Sequence, residues 1–240
     1  MKCLIPAGGF GKRLWAINPV TVNLPKALFL YKGKPLIDYI IQRIPAGLEI
    51  LISTNQLFAP SFTDWRKNQR RKIEILVEPA RTEQDKLGAV SSIEYWVKQK
   101  KINEDLLVIA ADNYFEFDIG RFIAAYDRSH TLMAVYDIAD REKAKQFGVV
   151  ALNGKKVSAI EEKPVEPKST LVSTACYIFP ARVLPLFTSY CQGGKRDNLG
   201  NFISYLIQVD EVYGFQFKEP WFDIGSETEI IRSLTAAKEQ

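Results

Sequence analysis

The chain holds one histidine, His130, and three cysteines among its 240 residues. A single histidine argues against His-based triads, haem attachment and ordinary zinc sites, which need partners that are missing here. Cys3, Cys176 and Cys191 show no C-x-x-C spacing. Cys3 and Cys176 lie in apolar runs that read as buried strands, where a thiol behaves as a small hydrophobe. That usage fits a reducing cytoplasm, the expected compartment. Apolar runs stay well short of the ~18 residues a membrane-spanning helix needs. Met1–Pro6 is too short for a signal peptide and reads as a first strand. Internal repeats, low-complexity stretches and obvious linkers are missing too.

Charge of one sign is also scarce. Thirty-two basic residues against 28 acidic ones leave +4 at pH 7, and the two signs are interleaved. Such a balance does not call for nucleic acid and suits a small, phosphorylated substrate. The densest basic runs, Arg66–Lys72 and Lys98–Lys101, read as solvated ends of amphipathic helices. With 47% hydrophobic and 25% charged residues, disordered, collagen-like and coiled-coil classes are excluded.

What is present is a rhythm of short apolar runs and longer helical patterns. Strands are expected at Leu4–Pro6, Glu49–Ser53, Ile73–Val77 and Leu106–Ala110. Helices are expected between them at Pro35–Ile44, Phe58–Asn68 and Leu87–Val97. This alternation points to parallel βαβ units buried on both faces. The second half carries strands at Thr131–Tyr136, Gly148–Leu152, Val157–Ile160, Leu171–Phe179 and Val212–Phe217. Asn153-Gly154 marks a hairpin between two of them. Helices are expected at Ile119–Tyr126, Pro180–Tyr190, Phe202–Gln208 and Glu227–Lys238, the last with Ser226 as N-cap and Glu229 at the capping-box position. The expected fold class is α/β, one domain with a mixed, mostly parallel central sheet flanked by helices.

Ala7-Gly8-Gly9-Phe10-Gly11-Lys12-Arg13-Leu14 follows the first strand directly. Glycines let backbone N–H groups approach phosphates closely, since no Cβ intervenes. The loop is neither of the two common phosphate loops. Pro6 and Arg13 break the G-x-x-x-x-G-K-[ST] pattern, and Leu14 replaces the third glycine of G-x-G-x-x-G. Lys12, Arg13 and Lys26 bring three cations beside it, and charge-assisted bonds to phosphate are the strong kind.

The sequence resembles the sugar-1-phosphate nucleotidylyltransferases over nearly its whole length. The resemblance rests on the glycine loop, Pro19-Val20-Thr21, Pro25-Lys26 and Gly33-Lys34-Pro35-Leu36-Ile37. Ala111-Asp112-Asn113, Phe147-Gly148-Val149-Val150, Glu161-Glu162-Lys163-Pro164 and Trp221-Phe222-Asp223-Ile224-Gly225-Ser226 continue it. It implies a Rossmann-like nucleotidyltransferase (GT-A-like) fold over 1–240, similar to members without an added β-helix. It also implies attack of a sugar-1-phosphate oxygen on the α-phosphorus of a nucleoside triphosphate, giving an NDP-sugar and pyrophosphate. That chemistry needs positioning and charge neutralisation more than a general base, because the attacking phosphate is already anionic.

The resemblance assigns roles residue by residue. Ala7, Gly8, Gly9, Gly11 and Gly88 would bind the nucleotide. Arg13 and Lys26 would bear on its phosphates. Lys163 would clamp the sugar phosphate, Glu162 would accept from sugar hydroxyls, and Gly148 would let the sugar lie against bare backbone. Asp112 and Asp223 would hold Mg²⁺. Glucose-1-phosphate with dTTP or UTP is the expected pair. Mannose-1-phosphate guanylyl transfer and cytidylyl transfer to another phosphorylated alcohol are the alternatives. Expected partners are the two substrates, with no nucleic acid and no membrane, and a homo-oligomer is left open.

Three departures from the family pattern stand out. Trp15-Ala16-Ile17-Asn18 lengthens the loop after Arg13-Leu14. Asp85-Lys86-Leu87 replaces the usual Gly-Thr-Ala or Gly-Leu-Ala segment before Gly88, where Lys86 reads as a helix-surface lysine. Ala111 replaces the glycine that often precedes the metal aspartate. The rival reading is a non-catalytic relative with the same fold, which should have lost its phosphate cations or carboxylates. This sequence keeps Arg13, Lys26, Asp112, Lys163 and Asp223. His130 reads as a capping or surface residue.

Overall fold

The computed structural model describes residues 1–11, 15, 23–194 and 198–224. Along the chain it forms β1 (Lys2–Pro6), β2 (Leu30–Tyr31), β3 (Lys34–Pro35), α1 (Leu36–Arg43), β4 (Glu49–Asn55), α2 (Ala59–Arg66) and β5 (Ile73–Glu78). Next come α3 (Ala89–Gln99), β6 (Leu106–Ile109), β7 (Asn113–Phe115), α4 (Ile119–Ala124), β8 (Thr131–Asp137) and α5 (Arg141–Ala144). The remainder is β9 (Gly148–Asn153), β10 (Lys156–Glu162), β11 (Leu171–Phe179), α6 (Leu184–Gln192), α7 (Leu199–Val209), β12 (Val212–Phe217) and β13 (Trp221–Asp223). Arg13 and the helix expected over Glu227–Lys238 lie outside the described residues.

The residues gather into two compact units. One comprises Lys2–Lys86, Ile109–Glu116 and the chain from Pro220. Here β5, β4 and β1 pair in parallel, with Leu4 opposite Leu51 and Ile52 opposite Ile75. Cys3, Leu4, Ile5, Ile50, Leu51 and Ile52 are fully buried, which is why these strands read as continuous apolar runs rather than alternating ones. Helix α1 buries Leu36, Ile37, Ile40 and Ile41, the face its periodicity foretold.

Arg71 corrects one expectation. It is not part of a solvated basic run: its guanidinium donates to the carbonyls of Ile41 (3.1 Å), Ile44 (2.6 Å), Pro45 (2.9 Å) and Leu48 (3.2 Å). Those carbonyls belong to the last turn of α1 and the loop leaving it, where a helix has acceptors without intrahelical donors.

The other unit comprises Met1, Leu87–Val108 and Phe117–Glu219. Its strands run in the order β6-β11-β8-β12-β10-β9. Only β8 and β12 are paired in parallel among the pairs whose register is described; β11–β8, β10–β12, β10–β9 and β11–β9 are antiparallel. The sheet is therefore mixed, with the parallel pairing strongest in the first half of the chain. The reason is connection length: β9 and β10 are joined by Asn153–Lys156, with Gly154 at φ 60°, and so short a turn can only reverse direction.

Sequence periodicity missed the shortest elements. The β2–β3 hairpin, α5 and the antiparallel pair β7–β13 fall where no element was expected, apart from Pro35, which was expected to open a helix. Helix α3 starts at Ala89 rather than Leu87, because Gly88, at φ 84°, takes a backbone conformation that stops the helix from extending backwards.

Candidate functional site

In the first unit the glycine loop is docked by buried backbone contacts. Ala7 N–H donates to Ser53 O at 2.7 Å, and Ala111 N–H donates to Pro6 O at 3.2 Å. The fully buried Asn55 ties the loop down: its Nδ2 donates to Gly8 O (3.0 Å), while its Oδ1 accepts from Phe58 N (3.0 Å). Gly11 has φ 66°, the left-handed region, and a Cβ there would stand 3.2 Å from Lys26 Cγ. The positive φ favours glycine here, and any side chain would also have to push Lys26 aside.

Lys26 opens a short 3-10 turn, Lys26–Leu28, and reaches Asp112, with Nζ 3.5 Å from Oδ2. Pro6, Ala7, Gly9, Lys26, Ala27, Ala111 and Asp112 enclose a cavity of about 60 Å³. Four residues expected at the site, Ala7, Gly9, Lys26 and Asp112, therefore share one small space. Arg13, expected beside them, lies outside the described residues.

Asp223 is not in a loop, as the sequence suggested; it ends β13. In the β7–β13 ladder Asp223 pairs with Asn113, and Ile224 N–H donates to Asp112 O at 2.9 Å. The two aspartates, 111 positions apart by the numbering, stand one rung apart in backbone register. The ladder is anchored on both faces. Tyr114 and Phe222 stack at 4.8 Å on the face that packs with Phe29, Leu36 and Ile224. Trp221 Nε1 donates to the buried Asn113 Oδ1 at 2.8 Å. Arg43 Nε donates to Phe115 O at 2.6 Å. Trp15, in the stretch that departs from the family pattern, packs against the same cluster.

Asp112, just before β7, and Asp223, at the end of β13, are both partly exposed carboxylates, the ligand type that could serve Mg²⁺. This ion takes oxygen ligands and is commonly held by one or two carboxylates together with substrate phosphates and waters. Among the described residues there is no group of three or more His, Cys, Asp or Glu that would make a closed metal cage.

Sequence reasoning passed over Glu78. It ends β5 with only 4% of its surface exposed, and a Cβ on Gly8 would meet its Oε2 at 3.3 Å. The available signal was an acid closing a β-strand whose neighbours are apolar, at the carboxyl end where open α/β sheets bind ligands.

Lys86 is not on a helix surface: it precedes α3 and pairs with Glu83 at 2.7 Å. Asp85 closes the preceding loop, accepting from the N–H groups of Arg81 (3.0 Å) and Thr82 (2.6 Å) and from the Thr82 hydroxyl (2.7 Å). These donors stabilise the charged form and lower its pKa from 3.8 to about 2. A carboxyl depressed on folding contributes order that is full above its ordinary pKa and lost as pH falls through the folded one. The Thr82 amide resonance is therefore expected to titrate with a midpoint near 2; a midpoint near 3.8 would show that the loop is not closed this way.

In the second unit, Glu162 ends β10 and stands opposite Gly148 in the β9–β10 register. Lys163 follows at φ 49°, a strained setting for a residue with a side chain, and its N–H donates to Phe147 O at 3.0 Å. That turn fixes the direction in which the lysine leaves the strand. The space over Gly148, expected to receive a sugar, is bounded by the Glu162 carboxylate and Ile160; a Cβ there would meet Glu162 Oε2 at 3.1 Å. Also missed was the fully buried Tyr177, which shares a 2.7 Å hydrogen bond with Ser173 and whose hydroxyl is pushed up in pKa by burial and further by the charge of Glu162. Nothing in the sequence pattern of β11 marks it, because a register shift between Ser173 and Tyr177 interrupts the alternation. Gly88 caps α3, accepting from Ser92 N–H at 2.9 Å. His130 is a surface residue bound to Asp127 at 2.7 Å. Among the described residues no helix is long and apolar enough to cross a membrane.

The family model described as "Nucleotidyl transferase" matches residues 2–240. A UTP–glucose-1-phosphate uridylyltransferase 2 of Staphylococcus saprophyticus is 24% identical over 262 residues, covering 97% of this chain and 90% of its own length. A mannose-1-phosphate guanyltransferase of Eremothecium gossypii is 23% identical over 240 residues, covering 96% and 63%. Four further relatives, 24–27% identical, match 96–98% of this chain, which spans only 53–62% of their length. Among solved structures, the inositol-1-phosphate CTP transferase from T. maritima superposes with a TM-score of 0.79 at 16% identity, covering 99% of this chain and 96% of its own. That likeness shows a shared α/β fold.

Proposed function

The chain belongs to the nucleotidyl transferase family, and from that premise we propose that it transfers a nucleotidyl group from a nucleoside triphosphate to a sugar-1-phosphate, releasing pyrophosphate. The observation that carries the reading is the convergence of Lys26 and Asp112 on the docked glycine loop, with Asp223 one rung away.

The glycine loop would receive the triphosphate, with Gly8, Gly9 and Gly11 allowing backbone N–H groups close to it. Lys26 would leave its contact with Asp112 in favour of a phosphate oxygen, and Arg13 would add a second cation. Asp112 and Asp223 would hold Mg²⁺, which neutralises charge on the phosphates and orients them when bound. Lys163 would bind the sugar phosphate and Glu162 the sugar hydroxyls. The nucleophile is already an anion, so the chain needs no general base.

Family likeness in Glu161-Glu162-Lys163-Pro164 favours glucose-1-phosphate with dTTP or UTP. Likeness to a mannose-1-phosphate guanyltransferase makes guanylyl transfer the second reading. Pyrophosphate release with Mg²⁺, crossing the four bases and thymine against glucose-, mannose- and N-acetylglucosamine-1-phosphate, separates the two. Silence across the grid from a folded protein would overturn the enzymatic reading.

Lys163→Ala is expected to raise the KM for the sugar phosphate about 10- to 100-fold, the loss of one charge-assisted contact. An unchanged sugar-phosphate KM and kcat would remove Lys163 from the clamp.

A further inference from the structure

Gly200 lies in the first turn of α7, a helix of eleven residues capped by Asn198, whose Oδ1 accepts from Gly200 N–H at 2.8 Å. Its φ is outside the left-handed region, so backbone geometry does not call for glycine. Helix formation disfavours it, since alanine is the better helix former. Packing supplies the reason. A Cβ on Gly200 would collide with Glu162 Oε2 and approach Glu162 Cδ to 3.4 Å. The same oxygen lies 3.1 Å from the Cβ position of Gly148, whose φ is also ordinary. Two glycines that the backbone does not require, one on β9 and one on α7, leave room for a single carboxylate oxygen.

We infer that Gly200, with Gly148, is a positioning residue for the carboxylate of Glu162, and that this seat sets how the chain reads the sugar. The inference rests on the proposed sugar-1-phosphate reading and adds the residue that fixes its sugar-facing acid. The seat has an electrostatic side as well. The first turn of a helix presents N–H groups without intrahelical acceptors and favours an anion. Glu162 thereby has one oxygen lodged in the space that Gly200 and Gly148 leave open, with the other turned to accept from sugar hydroxyls. A carboxylate held in one rotamer discriminates between epimers better than one free to follow its ligand, because a misplaced hydroxyl then goes unpaired.

The obstructing atom is the far end of a flexible side chain, so Gly200→Ala can fold by pushing Glu162 aside. The variant is expected to melt no lower than the parent, because alanine favours the helix. Its KM for the sugar phosphate should rise about tenfold while kcat and the KM for the nucleotide stay within about twofold. Gly148→Ala should show the same split, smaller, in keeping with its wider 3.1 Å separation. Adding Glu162→Asp to Gly200→Ala shortens the acid by one methylene and should recover most of the lost sugar affinity, which a generally loosened helix would not do. An unchanged sugar KM in Gly200→Ala, or a loss that Glu162→Asp leaves in place, overturns the inference. A crystal structure of Gly200→Ala separates its failure from that of the parent reading. Glu162 unmoved beside the new Cβ refutes the seat itself. A displaced Glu162 in a protein that turns over no sugar phosphate refutes the sugar reading and the functional half of the inference with it.

Discussion

Exchange of Asp112 for asparagine is expected to lower Mg²⁺-dependent pyrophosphate release by about 10²–10³-fold, with the melting temperature nearly unchanged. The fold should survive because the contact Asp112 makes to β13 is through its backbone: Ile224 N–H donates to the carbonyl oxygen, which the substitution leaves alone. Its side chain meets Lys26 at 3.5 Å, in a pair exposed by 22% and 36% on its two sides, and such a pair contributes at most about 1 kcal/mol. On the proposed reading, what the variant loses is a negative oxygen for Mg²⁺. Asparagine still offers a neutral one, so raised Mg²⁺ should recover part of the rate. Asp223→Asn should behave alike, since it stands one rung away on a ladder anchored by Tyr114, Phe222 and Trp221. Rates measured across a Mg²⁺ titration decide the matter. Parental activity in either variant at low Mg²⁺ would strike that residue from the metal site.

Arg71→Ala is expected to destabilise the protein by about 2–3 kcal/mol, through loss of charge-assisted bonds to several carbonyls at once. For a chain of this size that is a fall of roughly 4–12 °C in melting temperature. Four carbonyls at and beyond the end of α1 share this one guanidinium, and lysine, a point charge with a shorter reach, cannot span them. Arg71→Lys should therefore recover less than half of the loss. Thermal unfolding of the three proteins side by side tests this; a fall under about 2 °C for the alanine variant would mean that water replaces the clamp at little cost.

Much of the architecture was legible because apolar pattern and burial go together. β1, buried at Cys3, Leu4 and Ile5, and the fully buried β6 read as hydrophobic runs, the amphipathic α1 read as a helix, and Asn153-Gly154 read as a hairpin. Elements of two or three residues were not legible, because β7 and β13 are too short for periodicity to register. They exist because each completes the other's hydrogen bonds and because Tyr114 and Phe222 stack when paired.

By itself, then, the sequence determined the α/β class and the strands and helices long enough to carry a pattern. Those follow from local spacing and side-chain chemistry. Only the tertiary structure decided that Asp112 and Asp223 share a ladder, that Arg71 clamps carbonyls instead of facing water, that Glu78 is buried against Gly8, and that Glu162 fits between two glycines. Each of these depends on which distant segments pack together, and pairings across tens of residues leave no periodic trace in a single chain.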